Sequence, residues 1–232
     1  MEPISNCSSA SGGWVCADAA AVMQAVESET LILYHTDLRG EWPRAAARAL
    51  AARLPYGKRL ATGADSPGAR ASLAGIALAL RALSALTGRA VGPGEIVFAQ
   101  GAKPRLAHAC AARGAPADER RALCPDFSIS HSGPWVGCAA VRCGRVGFDV
   151  EMGSGARIAS WVAREAALKA CGAGIRALRE VRLSAGHASC RGELLHAHAL
   201  QLFPGAAACV MTSLALPGLG AHALSPAELF AP

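Results

Sequence analysis

FSISHSGPWVGCAAVRCGRVGFDVEMGSGARIASWVAREAALKACG, running from Phe127 to Gly172, is the stretch that decides how the chain is read. Successive side chains of a strand point to opposite faces, so Phe127–Ser132 sets Ser128, Ser130 and Ser132 on one side. Trp135–Val141 and Arg145–Glu151 are apolar runs on either side of Arg142-Cys143-Gly144, the pattern of a β-hairpin. In the returning strand Val146, Phe148 and Val150 face one way, and Gly147, Asp149 and Glu151 face the other. A glycine-containing link, residues 152–160, leads to a helix over Trp161–Cys171. Trp161, Glu165 and Lys169 recur there every four residues and share one stripe, and Gly172 and Gly174 end it.

Between Phe127 and Arg179 the only acidic residues are Asp149, Glu151 and Glu165. Three carboxylates gathered at one site repel and raise one another's pKa unless a cation compensates. An all-oxygen donor set with no His or Cys suits Mg²⁺, or Mn²⁺ in its place, completed by water and substrate phosphates. A solvated strand end with an ordinary Glu165–Lys169 pair accounts for the spacing equally well. Ser130-His131, followed by the Ser132-Gly133 turn, presents a hydroxyl, an imidazole and backbone N–H groups that suit a phosphate. The two are not a nucleophilic dyad, because neighbours on a strand face opposite sides. Cys138, Cys143 and the pair His196-Ala-His198 lack a second pair at zinc-ligand spacing, and read as core thiols and polar strand positions.

Outward from this stretch the chain reads as follows. Residues 1–29 form an N-terminal extension with a short helix near Ala17–Ser28. Thr30–Leu38 is a buried strand. Glu41–Leu54 is a helix with Pro43 in its first turn, and Pro55–Gly68 is a loop. Ala69–Thr87 is a long helix, apolar almost all round and so central to the core, ending at Gly88. Val97–Ala99 is a short strand. A polar, irregular stretch over Ala107–Asp126 divides an N-terminal half, 30–126, from a C-terminal half, 127–232. Val181–Ser184, Leu194–Phe203 and Ala206–Leu214 are further strands of an antiparallel sheet.

Composition narrows the function classes. The 232 residues are 52% hydrophobic and 17% charged, so the chain is globular and large enough for a substantial core. A net charge of +6 favours an acidic partner. An aromatic content of 5%, with no basic-aromatic face, argues against nucleic acid. The longest apolar run, Ala71–Leu86, is broken by Arg81 and is too short for a membrane span. Nine cysteines without paired spacing, and no signal-like N-terminus, point to a reducing cytoplasm. Twenty arginines stand against three lysines, Lys58, Lys103 and Lys169, which is the pattern of a chain keeping compact ammonium groups for phosphate.

Taken together these residues resemble the 4′-phosphopantetheinyl transferase superfamily, in its larger monomeric branch that activates peptide and polyketide synthases. Phe127–Val136 resembles the family's phosphate-binding strand. Gly147-Phe-Asp149-Val-Glu151 resembles its metal motif, and Trp161-Val-Ala-Arg164-Glu165-Ala-Ala-Leu-Lys169 its W-x-x-K-E-A-x-x-K helix. Gly101-Ala-Lys103-Pro104 is similar to its G-K-P turn, and Arg70 with Gly75 to the helix bordering the nucleotide. The chain departs from the pattern at Arg164, where the family has lysine, at Ala102, inserted before Lys103, and in the short 152–160 link.

The resemblance implies an α/β (α+β) protein of pseudo-twofold design, two similar halves each with an antiparallel-type sheet on a long helix. It implies a cytoplasmic monomer that moves phosphopantetheine from coenzyme A to a serine of an acidic acyl or peptidyl carrier protein. Asp149, Glu151 and Glu165 would hold Mg²⁺, with Asp149, Glu165 and Lys169 catalytic and Glu165 accepting the serine proton. Lys58, Arg70, Lys103, Ser130, His131 and Lys169 would bind coenzyme A. The alternatives are a relative that binds coenzyme A or a carrier without transfer, and a Mg²⁺-dependent phosphohydrolase.

Overall fold

Ser66, Pro67 and Gly88 set the limits of the longest helix. The Ser66 hydroxyl accepts the Ala69 N–H, Pro67 supplies a ready-made first-turn φ, and Gly88 closes the helix in the left-handed region at φ 67°. The computed structural model describes residues 31–55, 65–99, 102–107, 125–215 and 218–231. In chain order the elements are β1 (Leu31–Asp37), α1 (Arg44–Arg53), α2 (Pro67–Thr87), β2 (Ile96–Val97), β3 (Arg105–Leu106), β4 (Asp126–Ser132), β5 (Trp135–Val141), β6 (Val146–Met152), α3 (Ala156–Cys171), β7 (Arg182–Ser184), β8 (His187–Cys190), β9 (Glu193–Leu200), β10 (Ala206–Thr212), β11 (Leu219–Ala223) and a short helix, Pro226–Leu229. The segment near Ala17–Ser28, Lys58, Gly101 and most of the 107–126 stretch lie outside the described residues.

The architecture is mixed α/β, in four layers. One sheet has the order β11-β1-β5-β4 and the other β6-β10-β9-β8-β7, with β2 and β3 a separate pair. The outer face of the first sheet (Phe127, Val136, Cys138, Ala140) packs on α2 through Ala74, Leu78 and Leu83. Its inner face (Leu31, Leu33, Trp135, Ala139, Val141) packs on Val146, Phe148, Val150 and Val210 of the second sheet. The outer face of the second sheet (Ala188, Leu195, Cys209, Met211) covers α3 through Val162, Ala166 and Ala170. Each large side chain removed from water in these layers contributes about 1.5–3 kcal/mol. The second sheet is antiparallel throughout. The first is mixed rather than antiparallel, because the C-terminal strand β11 runs parallel to β1. Among the described residues one helix, α2, is long and apolar enough to cross a membrane by length and composition, and 67% of its apolar window is buried in this fold.

Two sequence expectations are corrected. The β-hairpin is β4–β5, closed by Gly133-Pro134, and β5 and β6 do not pair. β5 already has β1 on one edge and β4 on the other, so the chain turns at Arg142–Arg145 into the second sheet and β6 pairs with β10. The change of sheet therefore falls at residues 142–145. α3 begins at Ala156, not Trp161, because Gly153 and Gly155 take φ of 110° and 92° and reverse the chain within three residues. β8 and β11 were not expected, being short and weakly patterned.

β4 and β6 are the facing edge strands of the two sheets, and they run side by side in the same direction. Side chains, not a backbone ladder, join them. The Asp126 carboxylate accepts the Val146 N–H at 2.8 Å, and the Ser128 hydroxyl donates to the Phe148 carbonyl at 3.5 Å. Ser130 donates to Asp149 at 2.7 Å and Ser132 to Glu151 at 2.7 Å. The D-x-S-x-S-x-S alternation thus satisfies an edge that would otherwise be open to pairing. Ser132 also accepts the Met152 N–H at 3.1 Å. Ser132→Ala is expected to cost about 1 kcal/mol, a fall of about 2–4 °C in Tm for a chain of this size. An unchanged melting curve would mean that this end of the seam carries no stability.

Candidate active site

The site lies at the exit end of the seam, where β6 and α3 come together. Gly147 makes that approach possible. A Cβ there would stand 1.8 Å from the Ala166 carbonyl oxygen and 2.5 Å from the Ala170 nitrogen, so only a bare backbone lets α3 lie this close to the strand. Glu165 and Lys169 flank the contact on α3, and Asp149 and Glu151 follow it on the same face of β6.

Asp149 is 4% exposed. Its Oδ1 accepts Ser130 Oγ–H at 2.7 Å and Lys169 Nζ–H at 2.7 Å, and Lys169 also donates to Ser130 Oγ at 2.9 Å. Serine, aspartate and lysine therefore close a three-membered ring from three elements, β4, β6 and α3. The second oxygen, Asp149 Oδ2, is buried and accepts no hydrogen bond, an expensive state for a carboxylate oxygen. Glu151 is half-buried and held by Ser132. Burial pushes the Glu165 carboxyl above the ordinary range, and the charges of Asp149 and Glu151 push it further, against a smaller pull from Lys169.

Oxygen donors, a buried oxygen without a partner and an acid raised by burial and by its acidic neighbours suit a hard divalent cation. Among the described residues, however, no three His, Cys, Asp or Glu side chains stand in a metal-ligating arrangement. Gathering Asp149, Glu151 and Glu165 around one ion requires side-chain rotation. Beside Glu151 opens a cleft of about 490 Å³, walled by Met152, Arg157, Ile158, Trp161 and Arg164.

The other residues singled out in the sequence are spread along the seam. His131 is exposed on the face of β4 opposite Ser130. Arg70 Nη2 donates to the Leu38 carbonyl at 3.1 Å, and its guanidinium lies 4.8 Å from the Trp42 ring, so it braces the segment after β1. Arg164, which stands where the resembling motif has lysine, donates to the Val181 carbonyl at 2.6 Å. Lys103 sits at the entry end of the seam, ion-paired with Asp126 and donating to the Val146 carbonyl at 2.6 Å. Burial pushes its pKa down and Asp126 pulls it partly back. Val146 and Asp149 are three residues apart, so at about 3.3 Å per residue the ammonium lies roughly 10 Å along the strand from Asp149. The structure thus brings together Ser130, Asp149, Glu151, Glu165 and Lys169, and leaves Arg70, Lys103 and His131 outside that group. Asp126 was missed by sequence reasoning, although it continues the alternation of Ser128, Ser130 and Ser132.

Glu165 gives a stability test. With a folded pKa above its ordinary 4.5, it binds a proton more tightly folded than unfolded. Its contribution favours the fold below pH 4.5 and is lost as the pH rises through the raised value. Glu165→Gln removes that loss, so the variant is expected to melt about 1–2 °C above the parent at neutral pH, with the gain shrinking on acidification. A variant that melts lower at neutral pH would show that Glu165 is not repelled by its neighbours.

Neither a scan against known family models nor a search of curated proteins found a match to this chain.

Proposed function

We propose that this protein transfers 4′-phosphopantetheine from coenzyme A to a serine hydroxyl of an acidic acyl or peptidyl carrier protein, releasing 3′,5′-ADP. The observation that carries the reading is the Ser130–Asp149–Lys169 ring, with Glu165 beside it, raised by burial and then by the charge of Asp149. Ser130, Asp149 and Lys169 are in direct contact, with Glu151 and Glu165 on the adjoining strand and helix, and this supports the roles that the sequence resemblance implies for them. The layering of α2, two sheets and α3 supports a pseudo-twofold 4′-phosphopantetheinyl transferase fold.

In this reading Asp149, Glu151 and Glu165 hold Mg²⁺, for which Mn²⁺ can substitute. When bound, the ion neutralises charge on the pyrophosphate as its anhydride bond breaks. Lys169 and Ser130 offer an ammonium and a hydroxyl to phosphate oxygens. Its raised pKa suits Glu165 to accept the carrier serine's proton. The serine oxygen then bonds to the phosphorus that bears pantetheine, and the nucleotide departs with the bridging oxygen. His131 and Arg70 remain candidates for the outer phosphates of coenzyme A. Lys103 is assigned to holding the seam. The basic chain favours encounter with an acidic carrier.

One observation favours a binder of coenzyme A or carrier that transfers nothing: the Asp149 carboxylate is ion-paired with Lys169 at 2.7 Å. Chromatography of the nucleotide products separates these readings. The proposal predicts 3′,5′-ADP from coenzyme A and Mg²⁺ only when an apo-carrier is present. Release without a carrier marks a phosphohydrolase, and no release with any carrier marks the binder.

A further inference from the structure

On the far side of the second sheet from the carboxylates, three of the chain's seven histidines gather on one face. His187 of β8 stands directly opposite His196 of β9, and their rings are 5.0 Å apart, edge to face at 60°. His198 follows two residues along β9, on the same face as His196. All three are half-buried. They lie away from α3, since Ala188 and Leu195, their neighbours in β8 and β9, face that helix.

Hydrogen bonds fix which nitrogen of two of these rings is available. His187 Nδ1 lies 3.0 Å from the Ala185 carbonyl oxygen, an acceptor only, so Nδ1 carries the proton and Nε2 keeps its lone pair. Thr212 spends its hydroxyl proton on the Leu214 carbonyl at 2.8 Å. His198 Nε2, 3.2 Å from that hydroxyl oxygen, must therefore be the donor, which leaves Nδ1 of His198 with its lone pair. Holding one ring nitrogen by a backbone or hydroxyl partner while the other points outward is how proteins prepare an imidazole for a metal. Burial and the neighbouring His196 both hold the His198 pKa down, which keeps that ring neutral.

We propose that His187 and His196, with His198 as a third ligand, form a binding site for a borderline transition-metal ion such as Zn²⁺, Ni²⁺ or Cu²⁺. The sequence shows only the His196-Ala-His198 pair, and the missing partner is supplied across the sheet by His187. At a metal–nitrogen distance of about 2.0–2.1 Å, two nitrogens of a tetrahedral shell are roughly 3.3 Å apart, which rings with centroids 5.0 Å apart reach by small rotations. The three side chains do not form a closed shell as they stand. His196 and His187 are the anchors, and His198 joins through Nδ1 while its Nε2 stays on Thr212. Imidazole donors without carboxylates do not hold Mg²⁺, so this site is chemically separate from the three acids.

Isothermal titration of the full chain with Zn²⁺, in excess Mg²⁺ to occupy the carboxylates, tests the proposal. One equivalent is expected to bind, with His196→Ala and His187→Ala each weakening it at least 10-fold and His198→Ala by less. Cu²⁺ bound to the unmutated protein should show coupling to two or three nitrogens by electron paramagnetic resonance, a reading that no folding defect can disturb. No Zn²⁺ binding at micromolar concentrations, Zn²⁺ binding unchanged in a folded His187→Ala/His196→Ala variant, or a Cu²⁺ signal without two nitrogens would each overturn it.

Discussion

Replacing Asp149 by Asn is expected to lower phosphopantetheine transfer by about 10²–10³-fold, the usual effect of removing one preorganised electrostatic group from an active site, while the chain still folds. Asparagine keeps the shape, so the packing between β6 and α3 survives. It loses the charge that holds Lys169, whose ammonium is 2.7 Å from Asp149 Oδ1 and less than a third exposed. It also puts an amide where the buried, unpartnered Oδ2 now stands. One substitution thus disturbs both the ammonium that the proposed function sets against phosphate and the oxygen that it sets against the cation. Steady-state transfer at saturating coenzyme A, with circular dichroism as the folding control, measures it. A folded variant with more than a third of the parental rate would remove Asp149 from the reaction.

Gly147→Ala is the second large effect, and it acts through packing. The new methyl would sit 1.8 Å from a backbone oxygen of α3 and 2.5 Å from a backbone nitrogen. No rotamer relieves a clash between backbones, so α3 must move away from β6. Overpacking in a filled core costs about 1–3 kcal/mol and occasionally more. At about 3 kcal/mol the Tm falls by about 6–12 °C. The same movement draws Glu165 and Lys169 off the carboxylates of β6, so transfer should fall even at temperatures where the variant is folded. A Tm within 2 °C of the parent would mean that the strand–helix contact is looser than its geometry.

How much of this was legible beforehand depended on whether a feature was local. The faces of β4 and β6 could be read because a two-residue period fixes them, and the Trp161–Glu165–Lys169 stripe because a helix turns every 3.6 residues. Gly147 could be seen to share a face with Asp149, but the reason a glycine is needed there is Ala166, nineteen residues on. The false β5–β6 hairpin arose because β5 is buried along its whole length, and burial on both faces reads the same whichever neighbours provide it. β11 joins β1 from the opposite end of the chain, a pairing that no short window contains. Lys103 was read as a phosphate ligand because ammonium groups serve that purpose. Its partner Asp126, at the end of the stretch expected to be irregular, begins β4 and is ion-paired with it.

The five residues at the exit end of the seam are the claim on which the rest depends, and the mass of a carrier protein tests it most directly. Incubating an apo acyl or peptidyl carrier with this protein, coenzyme A and Mg²⁺ should add one phosphopantetheine to the carrier's intact mass. The addition should disappear when Mg²⁺ is chelated and be at least 10²-fold slower with Glu165→Gln. A carrier panel that gains no mass in the presence of all three would contradict the account, as would a Glu165→Gln protein that labels the carrier at the parental rate.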